Sequence, residues 1–367
     1  MRAVVFEAVG SPLRVAEVAP PECPPDGAVI DVKATGICRS DWHAWHGREV
    51  VSLPHIPGHE FSGVVTEIGA KVSAFAVGDR VTVPFVNGCG RCDWCRAGQS
   101  QVCPHQTQPG FSRAGSFAEQ VAIPAADFNL VRLPETMDFI TAAVLGCRFA
   151  TAFHALTTQA RLKAEEWLAV FGCGGVGLSA VMIAVAVGAR VVAVDPSPTA
   201  LTRAADLGAE ATVAATDPVP TVHSITGGGA HSAVDALGST ATAVSSIRSL
   251  RARGRHIQIG LMLGDDERAP LPWELVVSRE LEVLGAHGMA AREYPAMLTM
   301  IADGRLEPQR LIGSVIDLEQ AGEALMAMDA PVPAQAGIVV ATMEAGKSTL
   351  PKILAHTCRR CMGWSLP

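Results

Sequence analysis

The chain has 367 residues, 49% hydrophobic and 18% charged, enough for two domains with separate cores and unlike the composition of disordered chains. A net charge of −7 and a pI near 5.9 leave no basic surplus for a phosphate backbone, so nucleic acid is not an expected partner. The opening "MRAVVFEAVGSPL" lacks the apolar core of a signal peptide, which predicts a cytoplasmic protein without structural disulfides.

Up to about residue 145 the chain reads as β-rich, with "AVIDVKATGIC" and "FSGVVTEIG" as strands punctuated by Gly and Pro. Within it, "GCGRCDWCRAGQSQVC" (88–103) places Cys89, Cys92, Cys95 and Cys103 in the spacing C-x2-C-x2-C-x7-C. Disulfides, a nucleic-acid-binding ribbon and a metal cage are the three readings of such a cluster. A reducing compartment disfavours the first, and the lack of two separated C-x2-C knuckles disfavours the second. Four thiolates from one loop suit a closed tetrahedral Zn2+ site, which stabilises structure and leaves no place for a substrate.

From about Leu168 the pattern changes. "WLAVFG" and "ARVVAVD" are buried-strand runs, "GLSAVMIAVAVG" and "SPTALTRAADLGA" are helical, and "SAVDALG", "GRHIQIGL" and "LEVLGAHG" follow as short apolar runs. The alternation predicts βαβ units around a doubly wound parallel sheet, an α/β fold joined to the β-rich part. The uncharged stretch Trp167–Ala189 is long enough for a bilayer, but the glycines crowded at its front favour a strand-to-helix turn over a membrane span. Those glycines, Gly172, Gly174, Gly175 and Gly177 around Val176, fit G-x-G-x-x-G, and Asp195 ends the next strand eighteen residues on. That context is the dinucleotide fingerprint: backbone approaches a pyrophosphate at a helix N-terminus, and the acid takes the ribose hydroxyls. A carboxylate at 195 repels a 2′-phosphate, and "PSP" after it brings no cation, so NAD is preferred over NADP.

Beyond Met289, "EYPAMLTMIADGRL" and "LEQAGEALMAMD" read as helices and "GIVVAT" as a strand. The last stretch, residues 343–367, has no clear periodicity and reads as a loosely ordered tail or an added extension. Its Cys358 and Cys361 form a C-x2-C without a matching pair, so no third metal is assigned.

Catalytic chemistry needs a metal with a vacant position, and the remaining candidates lie far apart: Cys38, His59 with Glu60, and Cys147. Spacing alone does not bring them together. The segment "GHEFSGVVTEIGAKV", Gly58 to Val72, matches G-H-E-x2-G-x5-G-x2-V throughout. With "GICRSDWH", the cysteine loop and the glycine turn in the same order, the chain over residues 1–342 resembles the zinc-dependent alcohol dehydrogenases of the medium-chain dehydrogenase/reductase superfamily.

The resemblance implies a GroES-like catalytic domain over 1–148 with a zinc lobe near 88–104, a Rossmann NAD-binding domain over 149–288, and a return to the first domain over 289–342. It implies two Zn2+ per chain: a catalytic ion on Cys38, His59 and Cys147 with Glu60 close by, and a structural ion on Cys89, Cys92, Cys95 and Cys103. Asp41 then orients the histidine ligand, and Ser40 and His43 relay the proton, His43 suited by the near-neutral pKa of an unperturbed imidazole. Thr151 and Val176 flank the nicotinamide and Arg39 meets the pyrophosphate. Trp42, Trp45, Phe85 and Phe111 are pocket-wall candidates, with ordinary core packing as the other reading.

Many such proteins carry Arg or Lys just before the final "IVV" strand, against the pyrophosphate, where this chain has Gly337. The implied reaction is hydride transfer between a small alcohol and NAD, giving an aldehyde or ketone, in a homodimer or homotetramer built through the cofactor domain. The alternatives are a polyol, sugar or amino-alcohol dehydrogenase, a zinc-free enoyl or quinone reductase, which normally lacks both ligand sets, and a non-catalytic dinucleotide-binding protein.

Overall fold

The computed structural model describes residues 1–329 and 337–343. The expected tail beyond Met343, with Cys358 and Cys361, lies outside the described residues.

Short strands β1 (Arg2–Val5) and β2 (Arg14–Glu17) pair antiparallel at the N-terminus. The ten-residue β3 (Ala28–Ile37) is almost wholly buried and organises the first sheet. It pairs antiparallel with β4 (Glu60–Ile68), which in turn pairs with β5 (Arg80–Thr82). Two further strands complete this part: β6 (Gln120–Ile123) against β3 and β7 (Val131–Arg132) against β5. Close approach of β3 and β4 demands a glycine: a Cβ on Gly63 would stand 2.0 Å from the Asp31 carbonyl oxygen.

The second sheet contains six parallel strands: β8 (Trp167–Phe171), β9 (Arg190–Val194), β10 (Ala211–Val213), β11 (Ala230–Asp235), β12 (Leu250–Gln258) and β13 (Glu282–Gly285). Their order is β10-β9-β8-β11-β12-β13, the doubly wound order in which the chain reverses direction beside the first strand. β8 is buried along its whole length, as a sheet covered on both faces requires. After it, the apolar run predicted to turn does so, and Gly175–Ala186 forms a helix with every residue from Gly177 to Ala184 buried.

β14 (Ile312–Asp317), a strand the sequence pattern did not single out, and β15 (Ile338–Thr342) run parallel to each other. β15 pairs antiparallel with β3, so the chain's end extends the first sheet. The register pairs Val340 with Gly36 and Gly36 with Glu60, setting three strands side by side next to Cys38.

One core joins the two sheets. Val144, Leu145, Phe149 and Phe153, around Cys147, pack in a single cluster with Leu168, Leu178, Val181 and Met182 from β8 and the glycine-turn helix. Tyr294, fully buried in that cluster, donates its hydroxyl hydrogen to the Leu145 carbonyl at 3.1 Å. Burial drives the Tyr294 phenol well above its ordinary value, with the charges of Cys147 and Glu60 adding to the effect. Tyr294→Phe is expected to destabilise the protein by about 1–2 kcal/mol by stranding a buried carbonyl, read as a lower denaturation midpoint in urea.

Candidate metal and dinucleotide site

The three distant donors meet. The ligand atoms of Cys38, His59 and Cys147 all lie within 4.8 Å of one another. Cys38 follows the end of β3 and precedes the helix Arg39–Trp45, and His59 stands directly before β4, so the antiparallel pairing of β3 with β4 brings these two together. Cys147 arrives on a different element, a π-helical turn (Leu145–Phe149) between the helical segments Phe139–Ala143 and Ala150–His154. Such widened turns often mark functional positions because they re-aim one side chain within a helix.

Asp41 ties the first two donors. Its fully buried carboxylate accepts hydrogen bonds from His59 Nδ1 at 2.8 Å, the Gly58 N–H at 2.9 Å and the Cys38 N–H at 3.3 Å. This fixes the His59 ring and turns Nε2 inward, where it is buried without a hydrogen-bond partner among the described residues. An orphaned imidazole nitrogen beside two thiols is the donor set of a zinc site, and its carboxylate-held Nδ1 is the usual orienting contact.

The electrostatics point the same way. Contact with Cys147 holds the Cys38 thiol well below its ordinary value, against burial and with help from the charges of Arg148 and His59. Cys147 is pushed well above it by the contact with Cys38 and by burial. Burial opposes charge on His59, yet Asp41 and Cys38 outweigh it and raise the imidazole. The three groups thus compete for protons that a bound dication would displace.

Glu60 lies outside this convergent trio. It is fully buried and accepts from the Arg148 backbone N–H at 2.7 Å and from Arg148 Nε at 2.9 Å, with an ion pair to Nη2. Burial raises the Glu60 carboxyl while Arg148 pulls it down. Nothing in the local sequence around Arg148 signals this buried pairing.

Ser40 Oγ lies 3.8 Å from Cys38 Sγ. His43 is half-buried, with Nδ1 lacking a hydrogen-bond partner among the described residues. The expected near-neutral imidazole is not what the surroundings produce: burial, then the cations Arg48 and Arg39, lower His43 to about 4. Phe85 and Phe111 line the trio, their rings 5.8 and 5.0 Å from the His59 ring, and His287 stacks edge-on to Phe85 at 5.0 Å. Trp42 borders His43 but is anchored through Nε1 to Asp329 at 2.7 Å. Trp45 is no pocket wall: it is buried with Val4, Phe6 and Leu13, and its indole donates to the Ser11 carbonyl, because the amphipathic helix puts that face on the core.

The other four cysteines also converge, and none of the described cysteines is in a disulfide. Cys92 and Cys103 sulfurs are 3.6 Å apart, close to the roughly 3.8 Å edge of a ZnS4 tetrahedron with Zn–S near 2.3 Å. Backbone N–H groups of Cys89, Cys95 and His105 point at sulfurs in the loop. The N–H of Arg91 leads in lowering Cys89 to about 6, whereas burial pushes Cys95 up to about 12.

The glycine turn has the shape a pyrophosphate needs. Gly172 has φ +90°, and a Cβ on Gly177 would lie 1.7 Å from the Gly172 carbonyl oxygen. A Cβ on Gly174 would meet nothing, so that face is open. Asp195 accepts from the Cys173 N–H at 2.7 Å and the Ser197 N–H at 2.8 Å, which locks the turn to the end of β9. Val176 is the second residue of the following helix, and Thr151 is buried one turn after Cys147. Arg39 is exposed and donates to the Met328 carbonyl at 2.7 Å. A cleft of about 460 Å³ lies at the C-terminal ends of β12 and β13, lined by Gly260, Met262, Ala286 and His287 and bordered by Gln101 and Val102 of the cysteine loop. Ligands of open α/β sheets bind at that edge.

Residues 24–135 match the alcohol dehydrogenase GroES-like domain and residues 175–303 the zinc-binding dehydrogenase domain. The chain belongs to the zinc-binding alcohol dehydrogenase family. Within this family it is 35% identical over 311 residues to an alcohol dehydrogenase of Geobacillus stearothermophilus, covering 84% of this chain and 90% of that one. It is 31% identical to a D-arabitol-phosphate dehydrogenase of Enterococcus avium, over 84% of this chain and 88% of that one. A solved NAD-dependent alcohol dehydrogenase superimposes with a TM-score of 0.84 at 32% identity, covering 94% of this chain and all of the other. No helix among the described residues is long and apolar enough to cross a membrane.

The two cysteine sets are expected to respond differently to loss of a thiol. Cys95→Ser should lower the melting temperature with loss of one bound metal, whereas Cys38→Ser should lose one metal and leave melting nearly unchanged, both read by elemental analysis and calorimetry. In a proton NMR titration His43 is expected to stay neutral until well below pH 5, and Arg48→Met should raise its midpoint by removing a neighbouring cation.

Proposed function

We propose that this chain is a zinc- and NAD-dependent dehydrogenase that interconverts an alcohol with its aldehyde or ketone by hydride transfer. The observation that carries this reading is the buried His59 Nε2, unpartnered among the described residues and grouped with the sulfurs of Cys38 and Cys147. Three donors leave a tetrahedral ion one position for a substrate oxygen, whereas four in the Cys89–Cys103 loop leave none.

Zinc held by Cys38, His59 and Cys147 would acidify an alcohol hydroxyl, and NAD at the glycine turn would take the hydride. The chain's own residues supply the rest. Asp41 holds His59 in the tautomer that presents Nε2. Phe85 and Phe111 keep water from the donors and give an alkyl group an apolar wall. Ser40, next to Cys38, is the first proton acceptor, and His43, neutral at physiological pH, receives the proton at its unpartnered Nδ1. Asp195, carrying negative charge at the end of β9, favours ribose hydroxyls over a 2′-phosphate and so selects NAD.

The same reading assigns the second metal, structural zinc, to the cysteine loop. It also assigns assembly as a dimer or tetramer to the cofactor sheet: β13 is its edge strand, and Val283 is exposed there, with Trp273 and Val277 exposed on the preceding helix. Sedimentation equilibrium is expected to give a dimer or larger.

Purified enzyme with primary, secondary and polyol substrates should generate NADH, measured by absorbance, with NADP a poorer acceptor. Asp195→Ala is expected to narrow the ratio of kcat/KM for NAD over NADP by about tenfold or more, the scale of a lost charge-assisted contact. An unchanged ratio would remove Asp195 from cofactor selection. Cys38→Ser is expected to abolish turnover.

A further inference from the structure

Arg148 is an arginine 8% exposed in the wall between the two halves of the site. A buried guanidinium must satisfy its charge and its five N–H donors. Glu60 takes the Nε and Nη2 contacts, while Nη1 makes no hydrogen bond among the described residues. Unlike His59 Nε2, it is not sealed from solvent: Nη1 is absent from the buried atoms without a partner.

Its surroundings indicate where it is aimed. A Cβ on Gly175 would stand 2.7 Å from Arg148 Cδ and 3.4 Å from Nη1, so the glycine turn leaves space for this side chain. On the other side, a Cβ on Gly36 would meet Glu60 Oε2 at 2.7 Å and Arg148 Nη2 at 3.0 Å. Two glycines on different elements thus make the slot for one guanidinium. Gly175 begins a twelve-residue helix whose first backbone acceptor–donor pair is Gly174 C=O with the Leu178 N–H, so the N–H groups of Gly175, Val176 and Gly177 precede that pairing. A free guanidinium edge beside free helix N–H groups is an anion site. The final strand offers no competing side chain, since position 337 is glycine, and Arg39 is exposed and engaged with Met328.

We propose that Arg148 is a cofactor-binding residue, its Nη1 donating to the pyrophosphate of the dinucleotide at the glycine turn while Nε and Nη2 hold Glu60. The inference rests on the dinucleotide-dependent reading above. It makes one side chain, next in sequence to the donor Cys147, the link between the metal donors and the cofactor.

The test titrates zinc-loaded wild type, Arg148→Met and Arg148→Lys with NADH by nicotinamide fluorescence, with ADP-ribose by calorimetry and with adenosine by ligand-observed NMR. Arg148→Met is expected to weaken NADH and ADP-ribose by about tenfold or more, as loss of a charge-assisted contact does, and to leave adenosine within about twofold. Arg148→Lys should weaken both phosphate-containing ligands less than Arg148→Met does, because it keeps the positive charge, but still leave them below wild type, because one ammonium cannot serve Glu60 and the turn together. Zinc content and melting temperature establish that each variant is folded, and if Arg148→Met does not fold, Arg148→Lys decides. ADP-ribose affinity equal to wild type in the folded variants overturns the inference, as does an equal loss for adenosine. If wild type itself binds no dinucleotide, the functional reading fails first and this inference with it.

Discussion

A single buried carboxylate organises two of the three metal donors. Asp41 receives three N–H groups, from His59 Nδ1, Gly58 and Cys38, and has no exposure to solvent. Burying a charge is tolerated only when such donors replace the lost water. The three donors come from the end of β3 and the approach to β4, so satisfying Asp41 also fixes how those segments sit. Asp41 therefore holds the backbone of Cys38 and the ring of His59 together, and the His59 ring cannot rotate away without leaving the carboxylate short of a partner. The β3–β4 register brings the segments near each other, and Asp41 sets the final angles.

Cys147 is held by different means. Its π-helical turn packs through Leu145 and Phe149 into the cluster that also contains the glycine-turn helix, and Tyr294 bonds the Leu145 carbonyl from the far side of that core. A shift of the cofactor sheet relative to the first sheet would therefore move the third donor. This gives a physical reason for the metal donors and the dinucleotide turn to share one hydrophobic core: the distance between their ligands is set by close packing, which is stiff.

The parts of this arrangement legible in the sequence are the local ones. The cysteine loop declares itself because four ligands lie within fifteen residues, and the glycine turn because its strand, helix and acid follow in fixed order. The buried runs of β8 and β9 show the parallel sheet for the same reason, while β14, half-buried throughout, carries no such signal. Cys38, His59 and Cys147 span more than a hundred residues, and only a family resemblance pointed to their meeting. Arg148 was illegible because its role depends on glycines at 36 and 175, whose missing side chains create the slot. For Trp45 the sequence leaves pocket wall and core packing open, because helical periodicity shows that one face is buried but not what it is buried against. The lowered value of His43 is not legible locally either, because it comes first from burial and then from Arg48 and Arg39 acting through space.

Charge balance explains why an arginine belongs so near a metal site. Two thiolates, Asp41 and Glu60 are four negative groups in a volume almost closed to water, and a dication offsets only two of them. Without Arg148 the pocket would carry two uncompensated charges, and with it one. Like-charge repulsion in a poorly solvated interior drives protonation, and a protonated cysteine is a poor metal donor. Arg148, rather than Glu60, thus helps keep the sulfurs available as thiolates. The same guanidinium that offsets the sulfurs also borders the glycine turn at Gly175. Its second pair of donors need not be idle once an anion is present there.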